Sequence, residues 1–334
     1  MFNFISAYIE KKRIKIYNKL FNIQFSSINW RYNQQLQILK SFYKLFEFGK
    51  PRSKRLVLVM TDDTERHGLA DRIRTIISGY VIACKNDMEF YLHHSAGFAW
   101  ETYLEPNQVN WLIKQEDISR GLNRVNILWF PDKWPHIDNQ KKEYHGYRLY
   151  PLWDYLEKEE KHNYSFYDIF WKLFKPSAHL SNIVESTLSQ CQLKEKEYIA
   201  FHLRFLNFFE LVERNSKKVT STPEQRKLMV ERVHKTIEEV YKKSGCKKVL
   251  LFSDSNSFLN MEHPSYICTI PGNVAHIGKK AHDNSITDKV FIDLFVMSKA
   301  KIIYSIVGEN IYGGRFSQAA SKIGNVPFKR VHME

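Results

Sequence analysis

Cysteine is scarce in this chain, and the four present (Cys84, Cys191, Cys246 and Cys268) lie far apart. They form no CxxC pair and no Cys/His spacing of the zinc type. A metal-knuckle domain and a disulfide scaffold are therefore excluded, and buried thiols in a reducing compartment are expected. Glycine and proline are also few, at 13 and 10 of 334 residues, while aromatics are abundant. That balance excludes a collagenous or disordered chain and points to packed cores. No apolar run reaches the roughly 18–20 residues of a membrane-spanning helix. The first stretch does not read as a secretory signal, because Lys11, Lys12, Arg13, Lys15 and Lys19 interrupt its apolar residues and no small-residue cleavage site follows.

What is present in excess is positive charge, a formal +14. Nucleic acid, an anionic membrane surface and an anionic substrate are the three partner classes this suggests. The cations are dispersed and no nucleic-acid-binding signature accompanies them, so no nucleic acid partner is expected. The basic N-terminal segment carries Phe2, Phe4, Ile5, Tyr8, Ile9, Ile16, Tyr17 and Phe21. Such a stripe suits peripheral contact with the inner face of a membrane in a cytoplasmic protein, or packing on the domain that follows.

A length of 334 residues suggests two domains. Residues 30–48 have helical periodicity and are stopped by Gly49-Lys50-Pro51. Arg55–Met60 is a short continuous apolar run of the kind found in buried parallel strands. A helix opens near Gly68, and Glu89–Leu92 is the next strand, giving a strand–helix–strand unit. Val125–Phe130 is another strand. The stretch 131–161 is polar and aromatic and resists assignment. Ser165–Phe174 reads as a helix. The boundary is placed at 180/181, giving an N-terminal domain over 1–180 and a C-terminal one over 181–334. In the second half, strands are expected at Tyr198–Leu203, Lys248–Phe252, Tyr266–Ile270 and Lys301–Tyr304. Helices are expected at Pro223–Lys243, Thr287–Ser298 and Phe316–Ile323. Two consecutive α/β domains are the simplest architecture for this order.

Ligands of open parallel sheets sit at the carboxyl ends of strands. In the second half those ends hold His202 and Arg204, Ser253 and Asp254, His276 with its neighbours, and the run from Ser305 to Ser317. Arg204 follows a buried strand, where a guanidinium can grip a pyrophosphate through two parallel hydrogen bonds. His202 alternates with it across Leu203, so both point to one side. Asp254 can accept from a base or ribose, or can simply hold a turn. The glycine-bearing loop before Phe316 and Ser317 leads to a helix N-terminus, where exposed N–H groups can take phosphate oxygens. It is neither GxGxxG nor a P-loop.

Three stretches resemble the GDP-fucose-dependent fucosyltransferases of the GT-B type, the group that joins α1,2-, α1,6- and protein O-fucosyltransferases. They are Gly68-Leu69-Ala70-Asp71-Arg72-Ile73-Arg74, Phe201-His202-Leu203-Arg204, and Asp293–Ala300 followed by Phe316-Ser317-Gln318-Ala319-Ala320. The resemblance implies two Rossmann-like domains facing across a cleft, with the nucleotide-sugar donor on the C-terminal one. It implies an inverting, metal-independent transfer of fucose from GDP-fucose, or a related nucleotide sugar, to a glycan or lipid-linked glycan. It implies donor binding by His202, Arg204, Asp254, Asp293, Phe316 and Ser317, with Gly68, Asp71 and Arg72 on the acceptor side. No metal is required, and Asp62-Asp63 lacks a metal-binding pattern. After the His-x-Arg stretch the chain runs Phe205-Leu206-Asn207, and Glu210 and Glu213 are the candidate bases. A nucleotide- or glycan-binding protein without turnover is the alternative function.

Overall fold

The computed structural model describes residues 12, 17, 29–49, 53–62, 64, 67–137, 143–159, 163–210, 221–275, 277 and 284–333. The chain divides into two compact units. The first comprises Met1–Glu65, Arg74–Ala96 and Asn110–Tyr164; the second comprises Arg66–Ile73, Gly97–Val109 and Ser165–Glu334. The division thus falls earlier than the expected 180/181, which lies inside the helix Ala178–Gln190.

In the first unit, α1 (Asn29–Phe42) precedes β1 (Arg55–Met60), α2 (Leu69–Lys85, whose residues up to Ile73 belong to the second unit), β2 (Glu89–His94), β3 (Val125–Trp129), β4 (Glu143–Tyr147) and α3 (Tyr150–Glu159). The sheet order is β2-β1-β4-β3 and every pairing is parallel. All six residues of β1 are buried, as a central parallel strand requires. Leu58 of β1 faces Gly146 of β4 in register, and a Cβ on Gly146 would stand 2.6 Å from a Leu58 methyl. Only glycine lets the two strands and that leucine pack together.

The central strand β4 was not foreseen, because its sequence Glu-Tyr-His-Gly-Tyr has no aliphatic residue. Its burial is made tolerable by a polar network. Arg55 Nε and Nη2 donate to Glu143 at 3.1 and 2.9 Å. The N–H and hydroxyl of Ser119 also reach this carboxylate, at 2.9 and 2.8 Å. His145 Nε2 lies 2.8 Å from Glu143, and its Nδ1 lies 2.6 Å from the Tyr43 hydroxyl. The Tyr43 hydroxyl is in turn 2.8 Å from that of Tyr147. A buried carboxylate so fully satisfied can replace an aliphatic core residue. Of the basic N-terminal stripe only Lys12 and Tyr17 are described, and Tyr17 is buried in the first unit's apolar cluster with Leu36, Leu39 and Val57. Tyr17 therefore belongs to a core contact and not to a lipid-facing row; the other members lie outside the described residues.

The second unit contains α4 (Phe166–Leu173), α5 (Ala178–Gln190), β5 (Tyr198–Leu203), α6 (Pro223–Ser244), β6 (Lys248–Ser253), α7 (Asn256–Leu259), β7 (Ile267–Thr269), α8 (Asn284–Ser298), β8 (Ile302–Val307), α9 (Phe316–Gly324) and β9 (Phe328–His332). A short antiparallel pair, Leu104–Pro106 with Phe174–Pro176, stands apart from the main sheet. The sheet order is β9-β8-β5-β6-β7, again all parallel, with β5 in the centre and buried along its length. Helix α6 opens with a capping box between Thr222 and Gln225, with Pro223 in its first turn. An open parallel sheet of this kind directs its ligand to the carboxyl end of the central strands. Among the described residues no helix is long and apolar enough to cross a membrane.

Candidate functional site

At the carboxyl end of β5, a cavity of about 360 Å³ opens within the second unit. His202 and Arg204 line it together, as strand alternation requires. Phe252, Ser253 and Asp254 enter from the end of β6, and Val290 and Asp293 from α8. Gly313, Gly314, Arg315 and Phe316 close the side that leads into α9, and Gly68 and Asp71 come from the start of α2.

His202 is 7% exposed, and burial, with Arg204 beside it, pushes the imidazole down to about 4. It is therefore neutral at neutral pH. Its Nδ1 is buried and has no hydrogen-bond partner, and the same holds for Ser305 Oγ and Ser317 Oγ. Ser305 faces His202 in register across β8 and β5, and the Phe316 ring lies 5.9 Å from the imidazole. Of these three atoms only His202 belongs to the cavity lining; Ser305 and Ser317 lie behind it.

Helix α9 adds a second ingredient. Arg315 occupies its N-cap without a side-chain cap bond. The first N–H groups of a helix lack intrahelical partners and carry the positive end of the helix dipole. A phosphate seated there meets N–H donors and the Arg204 guanidinium together. Gly314 makes the approach close: a Cβ there would stand 3.2 Å from His202 Cε1 and 3.6 Å from Arg204 Cδ.

Asp254 lines the cavity, but both of its oxygens are engaged. They accept the N–H groups of Phe205 at 2.8 Å and Leu206 at 3.0 Å. Leu206 sits at φ 55°, so the carboxylate braces a turn in the left-handed region directly after Arg204. Burial raises this carboxyl to about 6 even though those two bonds and Arg204 act to lower it. Asp293 is buried and pairs with Lys289 at 2.5 Å one helical turn away, and burial raises its carboxyl as well.

Several sequence-derived candidates take other places. Glu210 does not line the cavity. Its carboxylate accepts from the N–H of Asn256 at 2.6 Å, from the N–H of Ser257 at 3.1 Å and from the Ser257 hydroxyl, capping α7. A carboxylate spent on a helix N-terminus is a structural clasp, which removes the reason for reading it as the base. Arg72 is 1% exposed and is also locked: it donates to His67 O at 3.0 Å and Ile277 O at 3.2 Å and lies over the Phe98 ring at 5.4 Å. It supports Ile277, which lines the cavity, and does not itself reach the lining. Glu213, Asp63 and His276 lie outside the described residues. Ser317 is fully buried behind Phe316.

The sequence singles out His276 with its neighbours, and Val274, Ala275 and Ile277 form a wall of the cavity; what it does not reveal is the residue that holds that wall. Asn256 donates to Val274 O at 3.0 Å and accepts from Val274 N at 2.8 Å. An asparagine after a strand is an ordinary turn signal, and nothing in the local sequence points to a partner 18 residues on.

The chain shares its fold with solved GT-B fucosyltransferases. The structure of NodZ α-1,6-fucosyltransferase soaked with GDP-fucose superposes with a TM-score of 0.52 at 12% identity, over 81% of this chain and 93% of that one. NodZ from Bradyrhizobium gives the same TM-score at 13% identity, over 80% and 93%. A variant of Arabidopsis thaliana FUT1 in complex with GDP gives 0.51 at 12% identity, over 97% of this chain and 79% of that one. No protein-family model and no curated protein sequence matches.

Proposed function

We propose that the protein is a glycosyltransferase that moves fucose, or a related sugar, from a GDP-linked donor to a glycan acceptor with inversion at the sugar carbon and without a required metal. The observation that carries this reading is that Arg204, the start of α9 and the orphaned Nδ1 of His202 come together at the end of the central strand. The fold shared with fucosyltransferases agrees with it.

In this reading the diphosphate of the donor lies against Arg204 and the first turn of α9. As the bond from the sugar carbon to the β-phosphate oxygen lengthens, negative charge grows on the departing GDP. Fixed cations and N–H dipoles stabilise that charge more in the transition state than in the bound donor, which is what accelerates the step. His202, neutral through burial, offers a hydrogen bond and no charge. Val274 and Ala275 form the wall toward the nucleoside, with Asp254 holding the turn that presents Arg204. The acceptor hydroxyl attacks the opposite face of the sugar carbon, and its proton passes to Asp71, the lining carboxylate at the start of α2. The basic balance of the chain suits an acidic or lipid-linked glycan.

A binding protein without turnover is the second reading. It is favoured by the commitment of Glu210 to α7. A screen of nucleotide sugars for released nucleoside diphosphate, with and without glycan acceptors, separates the two. Release of GDP from GDP-fucose supports the transferase. GDP binding with no release from any donor supports the alternative.

A further inference from the structure

Between α1 and β1, the backbone of residues 44–49 is bonded to its neighbours while Leu45 and Phe48 face solvent. Lys44 N donates to Arg120 O at 2.8 Å, and Leu122 N donates to Lys44 O at 3.0 Å. The Glu47 carboxylate accepts from Arg120 N at 2.5 Å and Gly121 N at 2.9 Å, and Arg124 stands 3.7 Å from it. Asn123 holds the backbone of Glu47 on both sides, accepting from its N–H at 2.9 Å and donating to its carbonyl at 3.1 Å. Arg124 then donates to Gly49 O at 2.5 Å. Positions 44, 47 and 49 are thus pinned to the segment 120–124. The residues between them point to solvent: Leu45 is 46% exposed and Phe48 90%.

Exposed apolar side chains on a loose loop can fold back at little cost. These cannot, because the backbone that carries them is clasped at three points. A phenylalanine held nine-tenths exposed on a clasped turn is a protruding apolar feature.

The charge around this tip has one dominant sign. From Lys40 to Arg55 the sequence contains Lys40, Lys44, Lys50, Arg52, Lys54 and Arg55 against the single carboxylate of Glu47. Glu47 is consumed by its N–H partners and Arg124, and Arg55 is consumed by Glu143. Lys40 and Lys44 are exposed. Glu116, exposed near Lys44, and Asp117, exposed near Arg55, are acids on this side. Protruding apolar side chains within a basic stretch match an anionic bilayer. The fluid apolar phase accepts them without shape complementarity, and the headgroup phosphates meet the lysines.

We propose that residues 44–49 form a docking tip for an anionic lipid surface, with Leu45 and Phe48 entering the interface and the neighbouring cations at the headgroups. The inference stands apart from the donor cavity and does not depend on the transferase reading.

The full chain is to be sedimented with vesicles of phosphatidylcholine alone and of phosphatidylcholine with phosphatidylglycerol. Binding to the second, weakened by salt, is the expected result. The double variant Leu45→Ser/Phe48→Ser loses about tenfold or more in vesicle affinity while its melting temperature is unchanged. Tyr312→Ser, which removes an exposed aromatic from the second unit, binds as wild type does. As a measurement that keeps the apolar character, Phe48→Trp shows a blue shift in emission with anionic vesicles beyond that of the wild-type chain. The proposal is overturned if wild type ignores anionic vesicles or if the double variant binds them equally well. It is likewise overturned if the double variant changes only the oligomeric state, which makes the tip a contact between copies. Loss of binding on removal of residues 1–28, with the double variant unaffected, assigns lipid contact to the N-terminal segment and also overturns it.

Discussion

The carboxamide of Asn256 clasps the backbone of Val274, donating to its carbonyl at 3.0 Å and accepting from its N–H at 2.8 Å. The clasp is itself seated by Glu210, which accepts from the Asn256 N–H at 2.6 Å. Glu210, Asn256 and Val274 therefore form a relay from the loop after β5 to the cavity wall.

Replacing Asn256 by Ala removes both bonds. At about 1 kcal/mol each, the expected loss in affinity for the nucleotide is at most roughly thirtyfold. In the transferase reading the donor KM rises while kcat changes less, because the clasp shapes binding rather than the reacting bond. Asn256→Asp keeps the acceptor and loses the donor, and an intermediate effect is expected. Steady-state kinetics at varied donor concentration checks both. Equal kinetics for all three proteins would show that the wall does not contact the donor.

Gly314 packs close to His202. Its replacement by Ala introduces a Cβ 3.2 Å from His202 Cε1 and 3.6 Å from Arg204 Cδ. The imidazole or the loop must give by a few tenths of an ångström, with a stability cost of about 1 kcal/mol or less. The larger effect is expected on diphosphate binding, because the added methyl lies beside the two groups proposed to hold it. Calorimetric titration with GDP should show weaker binding by more than the melting temperature suggests.

The first unit carries an acid-sensitive device in its core. Burial would raise the Glu143 carboxyl, but the hydrogen bond and charge of His145, the Arg55 guanidinium and Ser119 hold it at about 2. A folded-state value below the unfolded one means that the unfolded chain binds more protons in acid. The contribution is therefore present above about 4.5 and is lost as pH falls toward about 2. Glu143→Gln keeps the shape and removes the charge. It should destabilise the protein by about 3 kcal/mol at neutral pH and flatten the acid limb of the stability curve. Denaturant unfolding across pH measures both, and an unchanged acid limb would place the acid sensitivity elsewhere.

How much of this was legible in the sequence differs between residues for physical reasons. The run Tyr198–Leu203 announced itself as a buried strand, and alternation alone put His202 and Arg204 on one side. The helix at Phe316 was readable from its periodicity and the loop before it. The strand Glu143–Tyr147 was not, because its burial rests on Arg55, Ser119 and Tyr43, which are distant in sequence. Glu210, expected as a base, and Arg72, expected on the acceptor side of the cleft, have backbone partners that local sequence does not reveal: Asn256 and Ser257 for the one, His67 and Ile277 for the other. Local pattern reveals elements and the direction of side chains; it does not reveal which polar groups the fold has already consumed.

The central claim is that the cavity at the end of β5 holds a nucleoside diphosphate through Arg204. Thermal denaturation of wild type and Arg204→Ala with and without GDP tests it most directly. At a GDP concentration about a hundredfold above Kd, wild type should gain about 2.7 kcal/mol, a rise of a few degrees in melting temperature, and Arg204→Ala should gain little or none. An equal rise in both proteins, or no rise in wild type with any nucleoside diphosphate, would contradict the account.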